Sequence, residues 1–193
     1  MSRPRAPLRV RHAYLLMGHA TRLPGKFLLP VGGEPVAIRC HRILRGLGLE
    51  VTAVTVDPIT LPGLPVLRDR RDAGPLGGVA TILETTEEPF FLFGGDMPWL
   101  DAPSVERMRS VFDGRSMVPV GPEGKWEVLH AIYSDLDRGV VEALVGRRAG
   151  VKDLVDRLAL GGRVKFLPPG FLDPKSFTDL DMPEDYARIQ SSK

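Results

Sequence analysis

Several short stretches of this chain, among them His12–Met17, Val51–Val56 and Phe90–Phe93, are almost continuously apolar. A strand with one wet face alternates polar and apolar residues. A run without alternation has to be covered on both sides, as in a parallel sheet sandwiched by helices. Pro65–Arg68, Met117–Val120, Val128–Tyr133 and Val164–Leu167 add further strand signals. Amphipathic segments separate them at Glu34–Leu47, Leu76–Glu84, Ala102–Phe112, Leu136–Val145, Val151–Leu158 and Pro183–Gln190. This order predicts an α/β doubly wound architecture: one Rossmann-like domain with a mostly parallel central sheet and helices on both faces. The 193 residues suit a single domain, with residues 1–11 as a basic N-terminal extension.

Boundaries have local causes. Pro35 suits a first helical turn, and Gly46 and Gly48 suit that helix's end. Pro183, Glu184 and Asp185 put proline and acids at a helix start, where the dipole favours negative charge. The net charge of +2 and 7% aromatic content give no basic, aromatic-laced face of the kind nucleic acids need. Arg3, Arg5, Arg9 and Arg11, and separately Arg68, Arg70 and Arg71, read as solvated surface charge. Ala13–Met17 is too short for a signal-peptide core, and no run approaches the length of a membrane span. The lone Cys40, in a helical pattern, forms no disulfide within the chain. The expected setting is cytoplasmic, without nucleic-acid or membrane partners.

In open α/β sheets, ligands bind at the carboxyl ends of the strands. Two places qualify. After the first strand come Gly18-His19-Ala20-Thr21-Arg22-Leu23-Pro24-Gly25-Lys26. Glycine N–H groups can approach phosphate oxygens, and Arg22 and Lys26 can add charged hydrogen bonds. Six residues separate Gly18 from Gly25 and Phe27 follows Lys26, so this is not a Walker A loop. Nor does it have Rossmann Gly-x-Gly-x-x-Gly spacing. The residues alone allow either a phosphate loop or a solvated basic turn. The second place is Phe90-Phe91-Leu92-Phe93-Gly94-Gly95-Asp96. A carboxylate fixed at a strand end suits Mg²⁺, which takes one or two carboxylates plus phosphates and water. Alternatively, Asp96 caps the turn before Pro98.

Thr21-Arg22-Leu23-Pro24-Gly25-Lys26-Phe27-Leu28-Leu29-Pro30-Val31-Gly32-Gly33-Glu34-Pro35 resembles the signature of the nucleoside-diphosphate-sugar pyrophosphorylase-like nucleotidyltransferases. The short arginine-to-lysine gap is similar to that of the molybdenum cofactor guanylyltransferases. The resemblance runs from about Ala13 to Ala187. It implies that Met17, Gly18, His19, Arg22 and Lys26 wrap a triphosphate, with His19 where the family has a second glycine. Phe91-Leu92-Phe93-Gly94-Gly95-Asp96-Met97-Pro98 resembles the family's strand and metal-binding aspartate, which implies Asp96 as a metal ligand. Gly74-Pro75-Leu76-Gly77-Gly78 is similar to a segment beside the nucleotide. This implies nucleotide contacts at Pro75, Leu76 and Gly77, with Asp69, or alternatively Asp72, on the guanine or ribose. Glu127–Tyr133 resembles a strand near the pterin-bearing substrate, which implies acceptor binding at His130; a histidine in an apolar strand is otherwise a core residue. Phe177-Thr178-Asp179-Leu180-Asp181-Met182-Pro183 resembles a motif that implies Asp181 as a second metal ligand, or else the cap of the last helix.

The resemblance implies a Mg²⁺-dependent transfer of GMP from GTP to the phosphate of molybdopterin, with pyrophosphate released. Arg22, Lys26 and Asp96 would be the catalytic residues. Alternatives on the same scaffold are CTP with molybdopterin, GTP with adenosylcobinamide phosphate, or a regulator that binds nucleotide without turnover. Transient contact with other cofactor-biosynthesis proteins or molybdoenzymes is a further expectation.

Overall fold

The computed structural model describes residues 9–191; most of the proposed N-terminal extension lies outside them. In chain order the strands are β1 (His12–Met17), β2 (Pro30–Val31), β3 (Glu34–Pro35), β4 (Glu50–Thr55), β5 (Val66–Arg68), β6 (Phe90–Gly94), β7 (Ser116–Pro119), β8 (His130–Tyr133) and β9 (Val164–Leu167). The helices are α1 (Val36–Gly46), α2 (Gly74–Ile82), α3 (Ala102–Ser110), α4 (Arg138–Gly146), α5 (Val151–Leu160) and α6 (Pro183–Ser191). Seven strands form one sheet in the order β5-β4-β1-β6-β8-β7-β9. All neighbours pair in parallel except β8, which runs antiparallel to both β6 and β7.

The unbroken apolar runs now have a cause. In β1, Ala13, Leu15 and Met17 face one core, and Tyr14 and Leu16 face the other. In β6, Phe91 and Phe93 join the first core, and Phe90 and Leu92 the second. The first core is closed by α1, α3 and α6, the second by α2, α4 and α5. Phe91 and Phe93 stack with ring centroids 5.5 Å apart, and Phe90 meets Tyr14 edge-on at 5.4 Å.

Two expectations are corrected. The first helix starts at Val36 rather than Glu34, because Pro30–Pro35 folds back as a small hairpin. Its turn is Gly32-Gly33, with φ of 65° and 90°. Two consecutive left-handed residues make the primed turn that suits a tight hairpin, and glycine enters it without steric cost. Pro35 then precedes the helix as its cap instead of lying in its first turn. The strand expected at Pro65–Arg68 begins at Val66 and lies at one end of the sheet. It is the edge strand β5, with Val66 41% exposed.

Deleting a ring from either core leaves a cavity that close-packed neighbours fill only partly. Phe91→Ala should destabilise the protein by about 3–5 kcal/mol in urea unfolding. Leu160, 87% exposed at the end of α5, should tolerate lysine within about 0.5 kcal/mol. Equal losses at the two positions would contradict this division into core and surface.

Candidate active site

At the carboxyl edge of the sheet β1 and β6 lie side by side, and each runs into a glycine-containing loop. The loop after β1 passes through left-handed Gly25 (φ 71°) into a single 3₁₀ turn, Lys26–Leu28. Phe27 is buried in the first core and anchors that turn. Its neighbour Lys26 then reaches the loop after β6. The Lys26 ammonium is paired with Asp96 and lies 3.0 Å from Asp181.

The turn that carries Asp96 is held from several sides. Gly95 N–H donates to the Leu16 carbonyl at 2.9 Å, and Leu180 N–H donates to the Asp96 carbonyl at 3.0 Å. From α1, the Cys40 thiol donates to the Met97 carbonyl at 3.2 Å, and Arg39 Nε donates to the Pro98 carbonyl at 3.0 Å. The position of Gly95 has no room for a side chain: a Cβ there would sit 2.6 Å from Met17 Cγ and 3.3 Å from the Leu16 carbonyl oxygen. The Gly-Gly-Asp spelling therefore follows from close packing of one strand end on the next. Leu180 is fully buried, and its flanking residues Asp179 and Asp181 bring their carboxyl groups into the field of Asp96. The cap of α6 falls to Asp185, whose Oδ2 accepts from Met182 N–H at 2.9 Å. Asp181 is thus free for Lys26.

Lys26 and Asp96 are well buried here, while Asp181 and Asp179 are more open to solvent. Burial pushes the Asp96 carboxyl up, and the opposing pull of Lys26 does not fully reverse it. Burial would by itself lower the Lys26 ammonium, but Asp96 and then Asp181 more than compensate, so its pKa is raised. Asp179 is raised by burial first, then by Asp181 and Asp96. Glu127 is also raised by burial, with Asp179 adding to the effect and Lys125 opposing it. Sequence reasoning gave no role to Asp179 or Glu127. The available signal was the pair of aspartates flanking Leu180.

Beside these charges lies a cavity of about 390 Å³. Its walls include Met17, Gly18, His19, Lys26, Asp69, Pro75 and Asp96. Asp69 is 3% exposed, and its Oδ1 accepts from Thr81 Oγ1 at 2.8 Å and from Arg71 N–H at 2.9 Å. Of the other expected site residues, Leu76 is fully buried in the second core and Gly77 packs against Asp69 rather than lining the cavity. Arg22 is exposed on the loop and has no side-chain partner among the described residues. His130 is 1% exposed and does not line the cavity; it sits edge-on to Phe93 and Phe177, 4.9 and 5.1 Å away. Burial pushes its pKa down to about 3, so the ring is neutral.

His19 has a specific role that its replacement of a glycine did not reveal. Its Nδ1 lies 3.2 Å from Asp57 and its Nε2 3.0 Å from Asp72. Asp57 follows β4, and Asp72, in a left-handed conformation (φ 47°), precedes α2. The imidazole therefore ties three loops together at the rim of the cavity.

Among the described residues no helix is long and apolar enough to cross a membrane. A family model described as the MobA-like NTP transferase domain matches residues 15–161, a span that includes the Gly18–Lys26 loop and Asp96. The chain belongs to this family. The MobA-like chain is 30% identical over 131 residues to a probable molybdenum cofactor guanylyltransferase of Pyrococcus furiosus, covering 63% of this chain and 66% of that protein. It is 31% identical over 125 residues to a protein of the same description from Natronomonas pharaonis, covering 62% of this chain and 60% of the other. The matched segment thus spans under two thirds of each relative. The fold of the MobA-like chain is similar to that of molybdopterin-guanine dinucleotide biosynthesis protein A from Archaeoglobus fulgidus. There the TM-score is 0.73 at 16% identity, over 94% of this chain and 97% of that one. It is also similar to CMP:2-keto-3-deoxy-manno-octonic acid synthetase complexed with CTP. That match has a TM-score of 0.62 at 14% identity, over 95% and 98% of the two chains.

The bridge made by His19 predicts a pH dependence. Asp72 first, then Asp57, hold the imidazolium and raise its pKa above the ordinary 6.5. A raised folded-state pKa means that the bridge's contribution to stability is complete below the unfolded value and is lost as pH rises through the folded one. Proton NMR of the His19 ring should show titration above 6.5, and Asp72→Asn should bring it down. Titration at or below 6.5 in the unsubstituted protein would remove the bridge.

Proposed function

We propose that this chain transfers GMP from GTP to the phosphate of molybdopterin, releasing pyrophosphate. The observation that carries the reading is the convergence of Lys26, Asp96 and Asp181 beside a nucleotide-sized cavity at the strand ends of a MobA-like domain. The guanylyl and molybdopterin assignments draw support from the two relatives described as probable molybdenum cofactor guanylyltransferases.

In this reaction an acceptor phosphate oxygen forms a bond to the α-phosphorus while the bond to the pyrophosphate oxygen breaks. The nucleophile is already an anion, so no strong general base is required. The obstacle is bringing polyanions together, which calls for positioning and charge neutralisation. Gly18 and the following backbone would cradle the phosphates, and Lys26 would neutralise charge on the triphosphate and the departing pyrophosphate. Arg22, exposed and without a side-chain partner among the described residues, is available to swing onto the same group. Asp69 keeps Oδ2 for a donor on the base or ribose, since Thr81 and Arg71 occupy Oδ1.

Mg²⁺ fits the donor set, because two hard carboxylates already converge on a single cation, the Lys26 ammonium. Asp96 and Asp181 would hold the metal, which would supply Lewis-acid charge neutralisation to the phosphates. His130, buried behind the cavity wall, would influence the acceptor only through the packing of Phe177 and the segment leading to Asp179.

Incubation with Mg²⁺, molybdopterin and each nucleoside triphosphate should give pyrophosphate with GTP and much less with CTP or ATP. Asp96→Asn should lower kcat by about 10²-fold or more. Preference for CTP would overturn the base assignment, and full activity of Asp96→Asn would overturn the metal assignment.

A further inference from the structure

Lys26 occupies an unusual position for a residue assigned to a triphosphate. Its ammonium lies between Asp96 and Asp181, and Lys26 and Asp96 both stand on the cavity wall. The Lys26 and Asp96 side chains are only 14% and 11% exposed, so little water screens the pair. Asp179 adds a third carboxylate to the same field. Without the ammonium, the buried Asp96 carboxylate would face Asp181 with no cation between them, and an unpaired charge is costly to bury.

We propose that Lys26 is the resident counter-ion of the metal site, and that a divalent cation enters between Asp96 and Asp181 only together with a triphosphate. The inference rests on the reading of Asp96 and Asp181 as metal ligands. A divalent cation held by both carboxylates would enter the space between them that the ammonium now occupies. Two cations cannot share that space in a poorly screened corner, so the lysine must leave as the metal arrives. A lysine leaving alone would lose both anionic partners. A triphosphate in the adjoining cavity, whose wall includes Lys26, offers it new ones.

The surroundings favour exchange over coexistence. Among the described residues no group of three or more His, Cys, Asp or Glu side chains is arranged to hold a metal. The protein alone therefore supplies two carboxylates, and phosphate and water oxygens must complete the shell. The backbone of the lysine is fixed: Lys26 N–H donates to the Leu23 carbonyl at 3.1 Å, and Phe27 is buried beside it. Only the flexible four-carbon stem needs to move. The exchange puts a divalent cation where a monovalent ammonium stood, and the displaced lysine moves to the triphosphate that arrives with it.

The test uses Mn²⁺ as the probe, followed by electron paramagnetic resonance and calorimetry on the full chain without acceptor. The unsubstituted protein should bind Mn²⁺ alone weakly and much more tightly when GTP is present. Lys26→Met should bind Mn²⁺ alone at least ten times more tightly than the unsubstituted protein. Its metal-free Tm should fall, and Mn²⁺ should restore it. Lys26→Gln, a second neutral variant of similar length, should show the same gain and keeps the test open if the methionine variant does not fold. Equal Mn²⁺ affinity in the unsubstituted protein and both lysine variants, with Asp96→Asn abolishing binding in each, would overturn the exchange and leave the metal site standing. If Asp96→Asn left Mn²⁺ binding by Lys26→Met unchanged, the metal-site reading would itself fail.

Discussion

Strand β6 is buried on both faces, so each of its backbone N–H and C=O groups must be satisfied within the sheet. It meets that demand with β1 in parallel on one side and β8 antiparallel on the other. Much else follows from this placement. Phe90 and Leu92 complete one core while Phe91 and Phe93 complete the other, so helices have to cover both sides. The strand's end is then fixed to within a hydrogen bond of Leu16 on β1, and the chain leaves the sheet at Gly95 with Asp96 pointing into the corner between two loops.

That corner is dominated by acids. Asp96, Asp179 and Asp181 converge there, Glu127 stands near Asp179, and Lys26 is the cation set among them. Burial raises the pKa of Asp96, Asp179 and Glu127, a sign that the protein alone compensates their charge incompletely. Incomplete compensation is costly in the resting protein and would be useful under the proposed function, which brings a metal and a polyanion to this site. The rim works differently. There a protonated His19 sits between Asp57 and Asp72 and offsets part of their charge at the cavity rim.

How legible was this site? Asp96 stood out as a candidate because an apolar strand and two glycines lead into it, although the same residues also allowed a turn cap. Lys26 could be found from its spacing and family resemblance. What Lys26 touches could not, since Asp181 lies 155 residues away in sequence. Neither could the partners of His19, which depend on where the ends of β4 and the start of α2 fall around the cavity. His130 was ambiguous between core and acceptor site for a physical reason. Its environment depends on the register that pairs it with Phe93, and on a late 3₁₀ turn, Pro174–Phe177, that lays Phe177 against the ring.

By itself, the sequence determined the layers. Apolar runs without alternation need cover on both faces, and amphipathic segments between them supply it, so an α/β sheet with helices on each side follows from burial alone. Tertiary structure decided the rest: the antiparallel insertion of β8, the exposed edge position of β5, and the pairing of one lysine with acids from two distant loops. The reason is that local burial patterns constrain each segment separately, whereas register and charge pairing are properties of segments brought together.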